Sequence, residues 1–171
     1  KDAINSVGDR MGLPNGWLNA DFMKTTSYTP KLIQYSKYYK TFSNVLRIRT
    51  VSAEYLVVMK LMAGRQYKND LSDVVGILLE QEKSQQQICL EDIKKAAEKL
   101  YGGYDKLSEE SRTFIETVYQ NPDLTQLYAK VREDEKTNKD ILIEFEDNYP
   151  DVLNGDNLTD ILKAARAKKK G

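Results

Sequence analysis

The chain has 171 residues, of which 40% are hydrophobic and 30% are charged, and its formal net charge is zero. With 9 glycines and 4 prolines, it does not belong to the collagenous, mucin-like or wholly disordered classes, and a globular protein of this length buries about two-thirds of its unfolded surface. Because histidine is absent, Ser-His-Asp and Cys-His nucleophile systems and imidazole metal sites are excluded.

The N-terminal residues predict two short helices. Apolar residues at helical spacing indicate a first helix over residues 3–11, which Gly12 and Pro14 would end. A second short helix is predicted to begin near Gly16 or Trp17, and its apolar residues would be Trp17, Leu18, Ala20, Phe22 and Met23.

Residues 35–50 predict a strand pair. β-forming residues are frequent in this stretch, and its second part alternates between apolar and basic side chains. Ser43 and Asn44 form a turn-type pair between the two parts, so we expect a hairpin or two short sheet strands.

Everything after Ser52 is predicted to be helical. Ser52 is a candidate N-cap for a helix over residues 53–65, and the segment Tyr55–Ala63 is apolar all round except for Lys60, so this helix should be central. Further helices are predicted over residues 70–82 and 89–101, from Ser108 onward, and over residues 158–168. Between Pro122 and Pro150 the sequence predicts either one long helix or two helices with a break near Thr137-Asn138.

The zero net charge conceals an asymmetry along the chain. Residues 1–70 contain 11 Lys or Arg and 5 Asp or Glu, whereas residues 71–171 contain 15 and 21. Such an asymmetry is typical of an anionic ligand on the basic part, and equally of two halves that attract each other. Both interpretations stay open at this point.

Cysteine usage and hydropathy predict the compartment. The one cysteine, Cys89, has no internal disulfide partner, which indicates a reducing environment. No apolar run approaches the roughly 18 to 20 residues of a membrane span, and the first twenty residues do not have the plan of a signal peptide. We therefore expect a cytoplasmic protein without a membrane partner.

Lys60 is the unusual residue of the apolar helix. An ammonium group there has to reach solvent, pair with a carboxylate or face a polar cavity, because burial without a partner costs several kcal/mol. Arg65, Asp70 and Asp73 follow within thirteen residues, and the two acids lie three apart on one face at the start of the next helix. The spacing fits a structural salt bridge with a helix-capping acid, and it also fits an anion site.

The tyrosines of the basic part form a second candidate site. Tyr28, Tyr35, Tyr38 and Tyr39 lie beside three lysines, Lys31, Lys37 and Lys40. This pattern occurs in proteins that stack single-stranded bases beside phosphates. The other interpretation, which we prefer from the sequence, is that the tyrosines are half-buried strand residues.

Three ordered stretches in the first half of the chain form a longer pattern. They are Gly12-Leu13-Pro14 followed by Trp17-Leu18-Asn19-Ala20, then Leu46-Arg47-Ile48 leading into Ser52-Ala53-Glu54-Tyr55-Leu56, and finally Met59-Lys60-Leu61-Met62-Ala63-Gly64-Arg65, ending at Asp70 and Asp73. Together, residues 4–81 resemble the later part of a family of bacterial nucleotidyltransferase-like proteins. That family is related to the nucleotidyltransferase toxins of abortive-infection toxin-antitoxin pairs.

The resemblance implies a partial polymerase-β-like domain over residues 1–82, with a short strand pair, and a helical extension over residues 83–171. It also implies transfer of a nucleotide from an NTP through Mg²⁺ held by acidic residues. Lys60 and Arg65 would contact the triphosphate or substrate, and Asp70 and Asp73 would support that basic pair. An antitoxin protein and tRNA or another nucleic acid would be the partners.

The chain departs from the family pattern at its beginning. The Gly-Gly or Gly-Ser turn and the Asp-x-Asp pair of the family would precede Lys1, and Asp2 and Asp9 do not reproduce them. We therefore expect a fragment of a longer protein or a diverged member, inactive in nucleotide transfer by itself.

Two other functions fit the same residues. The chain could be a non-catalytic helical module that binds a partner protein, or a helical RNA-binding domain that uses the basic first seventy residues. Nucleotide binding that depends on Lys60 would favour the nucleotidyltransferase. A stable hetero-complex without nucleotide would favour the interaction module, and salt-sensitive RNA binding would favour the RNA-binding domain.

Overall fold

The computed structural model describes residues 2–14, 16–17, 20–44, 46–155 and 157–169. The described part has an α+β, predominantly helical fold with a two-stranded antiparallel sheet, as the sequence predicts. In chain order its elements are α1 (Asp2–Met11), α2 (Leu32–Tyr35), β1 (Ser36–Phe42), β2 (Leu46–Val51), α3 (Ala53–Ala63), α4 (Asp70–Lys83), α5 (Leu90–Tyr101), α6 (Glu109–Gln120), α7 (Leu124–Asn148) and α8 (Leu158–Lys169), with 3-10 turns at Asp21–Lys24 and Tyr104–Lys106.

The N-terminal segment contains less regular helix than predicted. Helix α1 ends at Gly12, whose positive φ of 65° lets the chain leave the helix without strain. The second helix is only the 3-10 turn Asp21–Lys24, and Leu18 lies outside the described residues. The hydroxyl group of Thr25 donates a hydrogen bond to the carbonyl oxygen of Phe22 (2.7 Å). In a longer helix this carbonyl would instead accept from a backbone N–H of the next turn, so the side chain competes with continuation of the helix.

The predicted hairpin is confirmed, and it turns at Ser43 and Asn44, both with positive φ. Val45, the first residue of the predicted second strand, lies outside the described residues. The register pairs Ser36 with Val51 at the open end and has an irregularity between Tyr38 and Lys40.

Helix α3 is the centre of the core, as its all-round apolar surface predicts. Helices α4, α5 and α6 pack against it, and α7 packs against α4. Burial of α3 excludes water from four of its residues, Tyr55, Val57, Val58 and Leu61. The core continues from Leu32 to Val131 and so includes residues on both sides of the predicted domain division at 82–83, which stays a prediction.

Helix α7 is a single helix of 25 residues, which settles the alternative that the sequence left open. It begins later than predicted: Pro122 precedes it, and the side chain of Asp123 caps it by accepting from the backbone N–H of Gln126 at 2.9 Å. Its C-terminal half forms a second small core with α8 around Ile141, Leu142 and Leu162.

None of the described helices combines the length and the apolar character that crossing a bilayer requires.

Candidate functional site

The turn between α3 and α4 brings the predicted residues together. Gly64 ends α3 in the left-handed conformation, and its N–H donates to the carbonyl of Lys60 at 2.8 Å. A Cβ on Gly64 would lie 2.9 Å from the Ser111 hydroxyl oxygen, so a larger residue would meet both strain and a clash. After a link of six residues, 64–69, helix α4 begins at Asp70 beside the last turn of α3.

The four predicted residues, Lys60, Arg65, Asp70 and Asp73, form one ion-pair cluster. The ammonium group of Lys60 lies 2.7 Å from Oδ2 of Asp73 and 3.2 Å from Oδ1 of Asp70. Arg65 binds Asp70 with two donors, Nε to Oδ2 at 2.6 Å and Nη2 to Oδ1 at 3.2 Å. Asp70 therefore bridges both cations, and Asp73 contacts Lys60.

Burial differs sharply within this cluster. The side chain of Asp70 is 2% exposed, whereas those of Lys60, Arg65 and Asp73 are 38%, 37% and 42% exposed. A buried carboxylate without partners would be costly, and the two cations satisfy it. The other three side chains remain accessible to solvent, so the cluster consists of one buried carboxylate and three side chains at the protein surface.

Protonation follows from this arrangement. Burial disfavours the ionised form of Asp70, but hydrogen bonds and charges from Arg65 and Lys60 outweigh it and hold the pKa of the carboxyl group below its usual value. For Lys60, burial acts to lower the pKa, and Asp73 and Asp70 outweigh it and raise the pKa above its usual value. Both groups are charged at neutral pH.

Sequence reasoning missed Glu135, a buried residue of α7 that supports this cluster. Its carboxylate accepts from the backbone N–H of Leu71 at 2.8 Å and of Ser72 at 3.3 Å, so a distant helix caps the N-terminus of α4. Burial raises the pKa of Glu135, and the negative charge of Asp70 adds to the effect. Glu135 thus fixes the first turn of α4, from which Asp70 and Asp73 project.

A sequence signal for Glu135 did exist. The buried residues of α7 recur at Val131, Glu135, Asn138 and Leu142, which is the spacing of one helix face. Two polar residues within such a stripe need buried partners, and both have them. Asn138 donates to the carbonyl of Gln66 (2.6 Å) and accepts from Nη2 of Arg166 (2.8 Å), which ties the α3–α4 link to α8.

The tyrosines of the second candidate site divide into two pairs. Tyr28 and Tyr35 are half-buried as the preferred interpretation predicts, but neither is a strand residue, because Tyr28 lies in a loop and Tyr35 ends α2. Tyr35 stacks on Tyr55 with the ring centroids 5.2 Å apart. Tyr38 and Tyr39 are 59% and 65% exposed, so the interpretation as half-buried strand residues is wrong for them. The reason is that none of the described helices covers the strands at this point of the hairpin: every β1 residue from Lys37 to Lys40 is exposed.

Within the described ranges, no three Asp, Glu, Cys or His side chains converge in a way that could hold a metal ion. Both oxygens of Asp70 accept from cations, and Oδ2 of Asp73 contacts Lys60. These acids therefore do not fit a Mg²⁺ site as they are arranged.

Comparisons with models of known protein families, with curated proteins and with solved structures found no match. The resemblance to nucleotidyltransferase-like proteins stays a prediction, and so do the binding roles of Lys60 and Arg65.

Proposed function

We propose that the chain forms the nucleotide-binding helical part of a cytoplasmic nucleotidyltransferase-like protein, in which Lys60 and Arg65 contact a triphosphate. The proposal rests on one observation: the ammonium group of Lys60 stands at an accessible edge, 2.7 Å from Asp73 and 3.2 Å from the buried Asp70. Phosphoryl transfer needs cations that are held in fixed positions before the substrate binds, because such cations neutralise the negative charge of the triphosphate without first having to reorient.

The two acids have different parts in this proposal. Asp70 is buried and binds both cations, so it would stay in place and orient them when a ligand binds. Asp73 is 42% exposed, so it can turn into solvent at little cost. A phosphate oxygen would then take the place of the Asp73 carboxylate on Lys60.

Magnesium would come with the NTP substrate. Since Asp70 and Asp73 do not fit a Mg²⁺ site, the resemblance assigns the metal to an Asp-x-Asp pair of the intact parent. If the parent is a toxin of a toxin-antitoxin pair, an antitoxin protein and a tRNA or other nucleic acid substrate would be its partners. The chain alone should transfer no nucleotide.

Replacing Lys60 with methionine tests the proposal, because methionine keeps most of the apolar stem and removes the charge. We expect the affinity of the 171-residue chain for ATP, GTP, CTP or UTP to fall about tenfold or more, which is the value of a hydrogen bond to a charged group. Isothermal titration calorimetry with each NTP measures the affinity. Lys68→Met is the matched control, since Lys68 is an exposed lysine of the neighbouring link.

Thermal unfolding of both variants separates binding from folding. Asp70 keeps its two contacts to Arg65 in the Lys60→Met variant, so the fold should survive. A folded Lys60→Met variant that binds every NTP as tightly as the unchanged chain would refute the proposal, and so would an equal loss of affinity in Lys68→Met.

Replacing Asp73 with asparagine should have the opposite effect on binding. The substitution removes the carboxylate that competes with phosphate for Lys60, and it removes one negative charge from the site. We expect NTP affinity to rise about threefold to tenfold, with a stability change within about 1 kcal/mol because the pair is partly exposed. Weaker NTP binding by Asp73→Asn would show that Asp73 itself contacts the ligand or its metal.

A further inference from the structure

The hairpin and its flanks form the longest stretch of the chain without an acidic residue. No Asp or Glu occurs between Asp21 and Glu54, whereas this stretch contains six basic residues: Lys24, Lys31, Lys37, Lys40, Arg47 and Arg49. Four of the six lie on the two strands. Such a run produces a positive potential with no neighbouring carboxylate in the sequence to neutralise it.

The strand register places aromatic rings beside these cations. Residues that face each other across an antiparallel pair project from the same side of the sheet. Tyr38 pairs with Arg49, and Arg47 lies two residues further along β2, so these three project from one face. Each of the three has an exposed side chain in the unliganded hairpin.

The opposite face has the same combination of charge and apolar surface. Lys40 pairs with Ile48, and Phe42 pairs with Leu46, so all four share this face. The ammonium group of Lys40 lies over the ring of Phe42, 4.9 Å from its centroid. A two-stranded hairpin exposed on both faces is only marginally stable by itself, which indicates that its surface is covered in the working protein.

Most of the cations are available to a ligand. Arg49 donates to the hydroxyl oxygen of Ser36 at 2.6 Å and to the carbonyl of Ser36, within the hairpin. For Lys37, Lys40 and Arg47, no ion pair with any of the described residues is present.

We propose that the hairpin Ser36–Val51 binds single-stranded nucleic acid. Arg47 contacts a phosphate on the face of Tyr38, the lysines contact phosphates on the opposite face, and the exposed rings of Tyr38 and Tyr39 stack on bases, as in single-strand binders in general. The bound strand therefore passes from one face of the narrow hairpin to the other. An acidic peptide would satisfy the cations, but it would leave the two most exposed tyrosine rings without a matching partner. The proposal does not depend on the Lys60 cluster, because none of its residues belongs to that cluster.

Fluorescence anisotropy of a labelled oligouridine of about 12 nucleotides tests the proposal, since that length covers a typical single-strand site. The full chain should bind it, and binding should weaken as salt rises. In a plot of the logarithm of the binding constant against the logarithm of the salt concentration, each phosphate contact should add about 0.7 to the steepness of the slope. In the triple variant Lys37→Gln, Lys40→Gln, Arg47→Gln, the slope should fall by about two. The control variant Lys83→Gln, Lys130→Gln, Lys163→Gln removes three exposed lysines elsewhere and should keep the slope.

A second pair of variants tests the stacking separately from the charge. Tyr38→Thr combined with Tyr39→Thr removes both rings and keeps residues that favour strands, so the hairpin should persist. We expect binding to weaken about thirtyfold or more at constant salt slope, since each stacked base contributes a factor of about five or more. Tyr149→Ala, which removes an exposed ring that directly follows α7, outside the hairpin, should change nothing.

Four outcomes would overturn the proposal. The first is an affinity for oligouridine that the tyrosine variants leave unchanged, and the second is an equal fall of the salt slope in the two triple cation variants. The third and fourth are an affinity for a duplex of the same length, or for a poly-glutamate peptide, that equals the affinity for oligouridine. The first and the last would reduce the hairpin to a charged surface without base stacking. None of them bears on NTP binding by Lys60, so the two proposals fail separately.

Discussion

Replacing Asp70 with asparagine is expected to lower the free energy of unfolding by about 3 kcal/mol at pH 7, because it removes the buried anion that both cations bind and leaves a buried amide with unmatched donors in its place. Asp70 is 2% exposed and accepts from three donors of Arg65 and Lys60. An asparagine side chain has one oxygen, and its amide N–H groups would face the cations. Urea unfolding followed by circular dichroism measures the loss.

Asp73→Asn is the control for this measurement, since it makes the same chemical change one turn further along α4. Its side chain is 42% exposed, and a pair of that kind contributes about 0 to 1 kcal/mol. Similar losses in the two variants would contradict the importance of burial at Asp70.

The pH profile supplies an independent check on Asp70. Its pKa is lower in the folded chain than in the unfolded one, so the unfolded chain binds more protons in the window between the two values. Stability therefore rises with pH through that window. The contribution is complete above the unfolded value of about 3.9 and is lost as pH falls through the folded pKa. Asp70→Asn should lack this acid-side loss, so the two stability curves should begin to approach each other below about pH 4 and meet below the folded pKa of Asp70.

The Lys60 cluster could be predicted because its parts are close in the sequence. A single cation in an apolar helix needs a partner, and the first acids after Lys60 follow across a link of six residues, 64–69. Helix capping and ion pairing both act between residues that are close in the sequence. A pairing of Lys60 with Asp70 could therefore be predicted from the sequence. Glu135 lies 64 residues after Leu71, and its partner is a backbone N–H that no side-chain pattern reveals.

The hairpin shows a different limit of prediction. Its strands and its turn at Ser43-Asn44 follow from local preferences, and alternation shows which residues share a face. Whether any element covers that face depends on where α2 and α3 direct the hairpin relative to the helices, and this depends on tertiary packing. The exposure of Tyr38 and Tyr39 was therefore not predictable from the alternation alone.

Replacing Glu135 with alanine should lower the free energy of unfolding by about 3 kcal/mol. The substitution leaves the N–H groups of Leu71 and Ser72 without acceptors in a largely buried place, and each such group costs about 1 to 3 kcal/mol. Glu133→Ala is the control, because Glu133 is an exposed residue of the same helix. Urea unfolding of both variants makes the comparison, and a loss below about 1 kcal/mol for Glu135→Ala would show that water replaces the carboxylate.

Glu135→Gln separates the hydrogen bonds from the charge. Because burial and Asp70 hold the pKa of Glu135 above its usual value, the folded chain binds more protons than the unfolded one between the unfolded carboxyl value of about 4.3 and the folded pKa. Stability of the unchanged chain should fall as pH rises through this window, opposite in sign to the effect of Asp70. Glutamine does not titrate and keeps one acceptor oxygen for the two N–H groups, so one of them loses its acceptor. Glu135→Gln should therefore lack the fall and cost about 1.5 kcal/mol at pH 7, about half the loss in Glu135→Ala. If the charge on the N-terminus of α4 were itself stabilising, the slope would reverse and Glu135→Gln would lose as much stability as Glu135→Ala.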